Sequence, residues 1–194
     1  MKFTQIPTDT FENLVLNAGI LVDEFTPATA TIGNLLGATT GGITFNSNPT
    51  FEDWGEDIDN CPNNTKQLKR ITSYDPAMSG TFLTVTGGLL KKLVGAGLLT
   101  TTSGVSRFVP SHELLSTDFT EVWWIGDYSD VNTGDNAGFL AIHLINALNT
   151  SSLQITTSKN AKGQMAFDFH GHYDYDNPES VPFEVYIMPG TTTP

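Results

Sequence analysis

Alternation of apolar and polar residues with a period of two runs through much of this chain, and it predicts strands. The stretch FDFHGHYDYD (167–176) sorts by side. Phe167, Phe169, Gly171, Tyr173 and Tyr175 point one way, and Asp168, His170, His172, Asp174 and Asp176 the other. SLQITT precedes it across the turn SKNAKG, and a further turn leads to a last strand, VPFEVYI. Strands are also expected over Ala18–Val22, Ile43–Asn46, 66–74, Gly80–Thr86, 119–130 and 138–149. Segment 138–149, GFLAIHLINALN, admits a helix, but the alternation of Leu140, Ile142 and Leu144 favours a strand. Near the start, Thr10 is placed to cap a short helix or turn over Phe11–Leu16.

One segment carries a clear helical stripe. Leu89, Leu90, Leu93 and Val94 fall on one side, Lys91 and Lys92 point away, and Gly95 and Gly97 supply a stop, so a helix is expected over about 88–96. Residues 46–65, NSNPTFEDWGEDIDNCPNNT, show neither period and read as a long inter-strand loop. Loops longer than about 12–15 residues are uncommon in compact domains and usually functional or partner-ordered. This one carries Phe51, Trp54 and Ile58, apolar groups that a solvated loop does not need, which points to docking. Its acidic Glu52, Asp53, Glu56, Asp57 and Asp59 face a basic continuation of Lys66, Lys69 and Arg70, a charge-complementary set.

Composition supports a mainly β globular protein, with 18 Gly, 10 Pro and only 15% charged residues over 194 positions. That length makes one domain, 1–194, the default. The formal charge of -12 removes the counterion-release drive that holds proteins on nucleic acid. The same charge would keep a polyanion from adhering to a surface it slides past. A single cysteine, Cys61, excludes an intrachain disulfide and a thiolate zinc cluster. The N-terminus has no apolar run like a signal peptide's, and no segment approaches the ~18 apolar residues of a membrane span. Asn63 and Asn149 begin N-x-[ST] matches without a secretory signal beside them.

The candidate chemistry is sparse. His170, His172 and Asp174 share a strand face and could hold a divalent ion, but a half-buried strand with a solvated or interface-facing polar side explains them with no further assumption. The acidic run in 52–59 lacks the spacing of a calcium loop. G-x-S-x-G, H-E-x-x-H, a Walker loop and G-x-G-x-x-G are absent, and SHELL (111–115) has no second His at the required spacing. No catalytic, cofactor-binding or metal-binding residue is assigned.

Taken in order, the segments resemble the major tail (tail tube) proteins of long-tailed, non-contractile, siphovirus-type bacteriophages and prophages. FENLVLNAGILVDEF is similar to that family's opening, and GITFNSNPTFEDWGEDIDNCPNNTKQLKRI to its hairpin with a long acidic loop. GTFLTVTGGLLKKLVGA is similar to its strand followed by one helix. A run ending in HYD, then a turn and VPFEVYI, is the most specific part. The resemblance implies a β-sandwich or barrel of the tail-tube type with one flanking helix, without the C-terminal immunoglobulin-like domain that many such proteins carry. It implies a structural, non-catalytic virion protein, made in the cytoplasm of the bacterial host and located in the virion tail. Its copies would form homo-hexameric rings stacked as a tube, with hairpins from neighbours closing a barrel around a lumen. Partners would be other copies, the tape-measure protein, and tail terminator and distal tail proteins. Double-stranded DNA would pass through the lumen without specific binding, and no membrane or cofactor is involved. On this reading Phe51, Trp54, Glu56, Asp57, Ile58, Lys66, Lys69 and Arg70 lie at the subunit or ring interface, with Phe51 and Trp54 as anchors. The alternative is a small β-sandwich ligand-binding module for carbohydrate or a divalent metal, using the His170/His172 face or the acidic loop.

Overall fold

The computed structural model describes residues 6, 7, 10, 13–128 and 138–190. In chain order its elements are β1 (Val15–Val22), β2 (Phe25–Thr26), β3 (Thr31–Ile32), β4 (Thr39–Asn46), β5 (Pro49–Asp53), β6 (Lys69–Tyr74), β7 (Ala77–Phe82) and α1 (Gly87–Val94). They continue with β8 (Gly97–Thr102), β9 (Val105–Pro110), β10 (Thr120–Tyr128), β11 (Gly138–Asn149), β12 (Gln154–Thr156), β13 (Gln164–His170) and β14 (Phe183–Met188). The chain is mainly β. An eight-stranded antiparallel sheet runs β1-β10-β11-β13-β7-β4, with β14 added on β11 and β12 on β13. The hairpins β2–β3, β5–β6 and β8–β9 form two-stranded sheets of their own.

The long strand β11 explains how one sheet encloses a core. Its first part pairs β14 from Phe139 to Leu144, and its end pairs β13 at Leu148 and Asn149. Between these parts Asn146 adopts φ 50, and the register against β10 slips between Thr120 and Val122. This is a β-bulge, and Asn tolerates the left-handed conformation at little cost. The bend carries β13, β7 and β4 around until β4 approaches β1. Leu21, Met78, Phe82, Leu93, Val122, Leu144, Phe167 and Phe169 fill the enclosed space, none more than 2% exposed. Each fully buried side chain of this kind contributes about 1.5–3 kcal/mol. A second cluster on the opposite side of β10 and β11 gathers Val22, Phe25, Trp123, Phe139 and Ala141, with β2 as its cover.

Helix α1 closes one end of the core. The Thr86 hydroxyl accepts from the Leu89 N–H, Gly95 at φ 86 ends the helix, and Leu89 and Leu93 face inward. Two Gly side-chain vacancies matter elsewhere. At Gly19, φ 69, a Cβ would lie 2.6 Å from the Ile125 carbonyl, and at Gly171 it would lie 2.6 Å from the Pro182 carbonyl.

Several sequence-based expectations need correction. Within 46–65 the chain is not all loop, because Pro49–Asp53 pairs with Lys69–Tyr74 and leaves 54–68 as the connection. The strand expected over Gly80–Thr86 is Ala77–Phe82, since Thr84 and Thr86 are diverted to capping the Ala38 N–H and the helix. The basic strand begins at Lys69, three residues after Lys66. Of the segment Thr10–Leu16, Phe11 and Glu12 lie outside the described residues, while Val15 and Leu16 already belong to β1. The alternation in 167–176 holds only to His170, where β13 ends. Phe167 and Phe169 are core, but Tyr175 is 95% exposed and Tyr173 39%. The hairpin β8–β9 is an element the pattern reading passed over. No helix among the described residues is long and apolar enough to cross a membrane.

Candidate interaction hairpin and aromatic cleft

The β5–β6 hairpin brings the expected interface residues together. Its register sets Phe51 opposite Ile71, Glu52 opposite Arg70 and Asp53 opposite Lys69. Phe51 is 54% exposed, Trp54 58% and Ile58 51%, so apolar groups stand out along the hairpin and its connection. Glu56, Asp57 and Lys66 are exposed on the same connection. The acidic 52–59 and basic 66–70 segments do lie side by side, and two of the basic side chains sit near rings. Lys69 Nζ lies 5.9 Å from the Phe51 ring centre, and the Arg70 guanidinium 5.5 Å from that of Trp54. Trp54 Nε1 donates to Glu52 Oε2 at 3.0 Å, while Arg70 donates to the Gln67 and Lys69 carbonyls.

Asp53 organises the connection. Its carboxylate accepts from the Asn64 N–H at 2.6 Å and the Gly55 N–H at 3.0 Å. Those two bonds, the Asn64 one foremost and with Lys69 assisting against the effect of burial, hold its pKa below the ordinary aspartate value. Lys69 Nζ closes the arrangement on Asn64 Oδ1 at 3.0 Å. The backbone of the tip is thus held by these bonds, while Trp54, Glu56, Asp57 and Ile58 stay exposed.

His170 and His172 do not act together. His170 Nδ1 lies 2.7 Å from Asp75 Oδ1 and its Nε2 3.4 Å from Asp168 Oδ2, so both nitrogens are occupied by carboxylates. Burial opposes the charged ring, but hydrogen bonding and charge from Asp75, then Asp168, outweigh it and raise the pKa above the usual histidine value. His172 Nδ1 lies 3.1 Å from the Asn146 carbonyl, which can only accept, so Nδ1 carries the proton. Among the described residues no group of three or more His, Cys, Asp or Glu is placed to hold a metal ion.

His172 instead lines an open cleft of about 300 Å³. Phe119, Asn146, Tyr173, Asp174 and Tyr175 form most of the remaining wall. Phe119 meets His172 edge-on at 5.2 Å, and the Tyr173 hydroxyl accepts from the Tyr74 N–H at 2.8 Å. A contiguous space of about 240 Å³ shares Asn146, His172 and Asp174. The bulge at Asn146, the end of β13 and the turn before β10 meet here, a convergence that local pattern does not reveal.

A further histidine went unread in the sequence. His143 stacks on Trp123 at 3.8 Å and stands between Glu121, 2.5 Å from Nε2, and Glu184, 3.4 Å from Nδ1. Tyr186 donates to Glu184, and this bond leads His143 in lowering the Glu184 pKa. Cross-strand register would have found the set, since Trp123, His143 and Glu184 lie in one row.

No protein-family model and no curated protein matches the chain.

Proposed function

We propose that this chain is a structural subunit of a bacteriophage tail tube, polymerising through homo-hexameric rings into a passive conduit for double-stranded DNA. The observation that carries the reading is the β5–β6 hairpin, which stands off the main sheet with Phe51, Trp54 and Ile71 about half exposed. An isolated two-stranded hairpin is marginal in water, and such a rigid-backed apolar surface is what a neighbouring copy would cover. The resemblance of the ordered segments to tail tube proteins supports the identity of that neighbour. The mainly β fold with one helix fits it, and the -12 charge fits a wall to which DNA does not adhere. Edge strands support it too, because among the described residues β4 and β14 each pair on one side only and ring closure would pair the other.

On this reading the chain has no catalytic role, and its partners are other copies, the tape-measure protein and the proteins that start and end the tail. Sedimentation velocity over a concentration series tests the hairpin's part. Species larger than the monomer are expected to grow with concentration and to be lost in Phe51→Ala/Trp54→Ala. Equal assembly by that variant would overturn the assignment of the hairpin.

The ligand-binding alternative draws on one observation, the 300 Å³ cleft at His172. Calorimetry with zinc, calcium and simple sugars distinguishes it, since a tube subunit requires none of them.

A further inference from the structure

We propose that the cleft at His172 is the receptor for a guanidinium, that of Arg107 from a second copy of this chain. The inference rests on the tail-tube reading in that it requires copies to meet, and it assigns a contact separate from the β5–β6 hairpin.

The wall of the cleft is built from acceptors and rings. Nδ1 of His172 donates to the Asn146 carbonyl, and Nε2 has no protein partner among the described residues. Asp174 Oδ1 accepts from the Asp176 N–H at 3.0 Å, and Oδ2 has no protein partner among the described residues. No Lys or Arg lines the space, so an anionic occupant is disfavoured. Phe119, Tyr173 and Tyr175 contribute aromatic rings to the wall, groups with which a planar cation interacts favourably. Tyr175 is almost wholly exposed in the single chain and so is free to contact a second copy. Arginine suits this set better than lysine, because its flat guanidinium can stack and form a two-point bond with a carboxylate in the same pose.

The chain holds two arginines, and one is already engaged. Arg70 is tied to the Gln67 and Lys69 carbonyls and lies over Trp54. Arg107 is exposed, and its guanidinium has no partner among the described residues. It stands on β9 opposite Thr100, on the face of the β8–β9 hairpin that carries Leu98 and Val109, themselves paired. Leu98 is 66% exposed, and Val105 at the hairpin end 69%. Within 97–110 Arg107 is the only charged residue. A lone cation ringed by exposed apolar groups is the composition of an interface anchor. The cleft lies in the opposite environment, since 173–184 holds Asp174, Asp176, Glu179 and Glu184 and no Lys or Arg. Copies that each carry -12 repel, so a cation set into an acidic recess is where attraction can be concentrated.

Charge exchange tests the pair in the full chain. Arg107→Glu and Asp174→Arg should each reduce the assembled fraction by about tenfold or more, and Arg107→Glu/Asp174→Arg should restore most of it. Both positions are accessible in the single chain, and unchanged thermal melting will show that each variant folds. A second measurement uses Cys61→Ser as background and mixes Arg107→Cys with Tyr175→Cys chains under mild oxidation. A disulfide between the two chains is expected, and none between either chain and itself at comparable yield. Normal assembly by Arg107→Glu overturns the inference and leaves the tube reading standing. Loss of assembly without rescue by the exchanged pair, together with no mixed disulfide, also overturns it by placing Arg107 elsewhere. A native protein that stays monomeric under all conditions removes both.

Discussion

Asn149 gives the sharpest test of how the fold is held. It is 6% exposed at the end of β11, and its side chain ties three segments. Nδ2 donates to the Leu93 carbonyl at the end of α1 at 2.6 Å and to the Ser151 carbonyl at 3.1 Å. Oδ1 accepts from the Asp168 N–H of β13 at 2.8 Å and from Ser151 Oγ at 3.0 Å. In Asn149→Ala the Ser151 groups can turn to water, but the Leu93 carbonyl and the Asp168 N–H lose their partner inside the protein. Each buried orphan costs about 1–3 kcal/mol, so the loss should be about 4 kcal/mol in total. In a chain of this length that is roughly 8–16 °C of melting temperature. Asn149→Asp keeps the shape and sharpens the test. The new oxygen would face the Leu93 carbonyl, which disfavours the ionised form in the folded state and raises the carboxyl pKa there. The variant should therefore recover stability relative to the native chain as pH falls, when the protonated carboxyl again donates. Urea denaturation of the three proteins at neutral and acidic pH measures this. A loss below about 1 kcal/mol in Asn149→Ala, or no differential recovery in Asn149→Asp, refutes the reasoning.

Other expectations follow from single contacts. The raised pKa of His170 means that its charged pairing with Asp75 and Asp168 stabilises the fold fully below about pH 6.5, the unfolded value, and is lost as pH rises through the higher folded value. His170→Gln should flatten that dependence, read from urea midpoints between mildly acid and mildly alkaline pH. Lys91 lies 3.4 Å from Asp118, whose side chain is 3% exposed. Lys91→Met leaves a buried carboxylate unpaired and should cost about 3 kcal/mol, measured by the same unfolding assay, with Asp118→Asn in the Lys91→Met background recovering part of it. Trp54→Ala removes an exposed ring and should change monomer stability by less than about 0.5 kcal/mol while weakening assembly.

Much of the architecture was legible in the pattern, and the failures have distinct physical causes. The segment 138–149 forms one strand over its whole length because its alternating apolar residues serve two cores, one on each side of the sheet. The stripe of Leu89, Leu90, Leu93 and Val94 marked α1 to within two residues at either end. Strand β5 was hidden because the pleat shows as alternation only where one face is buried, and Pro49–Asp53 has none. The β8–β9 hairpin was hidden for the same reason, although Ser103 and Gly104, at φ 51 and φ 80, form a turn that the dipeptide itself announces. In 167–176 alternation was carried too far, because β13 stops at His170 and the chain leaves the sheet to form the cleft. Of the two carboxylates at His170, Asp168 is a neighbour on the same strand face, whereas Asp75 could not be read locally, since it reaches His170 through the pairing of β7 with β13. The residues proposed for an interface lie near one another because a hairpin folds sequence neighbours together. The cleft was missed because Phe119, Asn146 and Tyr173 are joined only by the fold.

Negative-stain electron microscopy of the concentrated protein, alone and with a tail tape-measure partner, tests the central claim most directly. The tail-tube account predicts six-fold rings and stacked hollow tubes. A particle that remains a single copy under both conditions would contradict it.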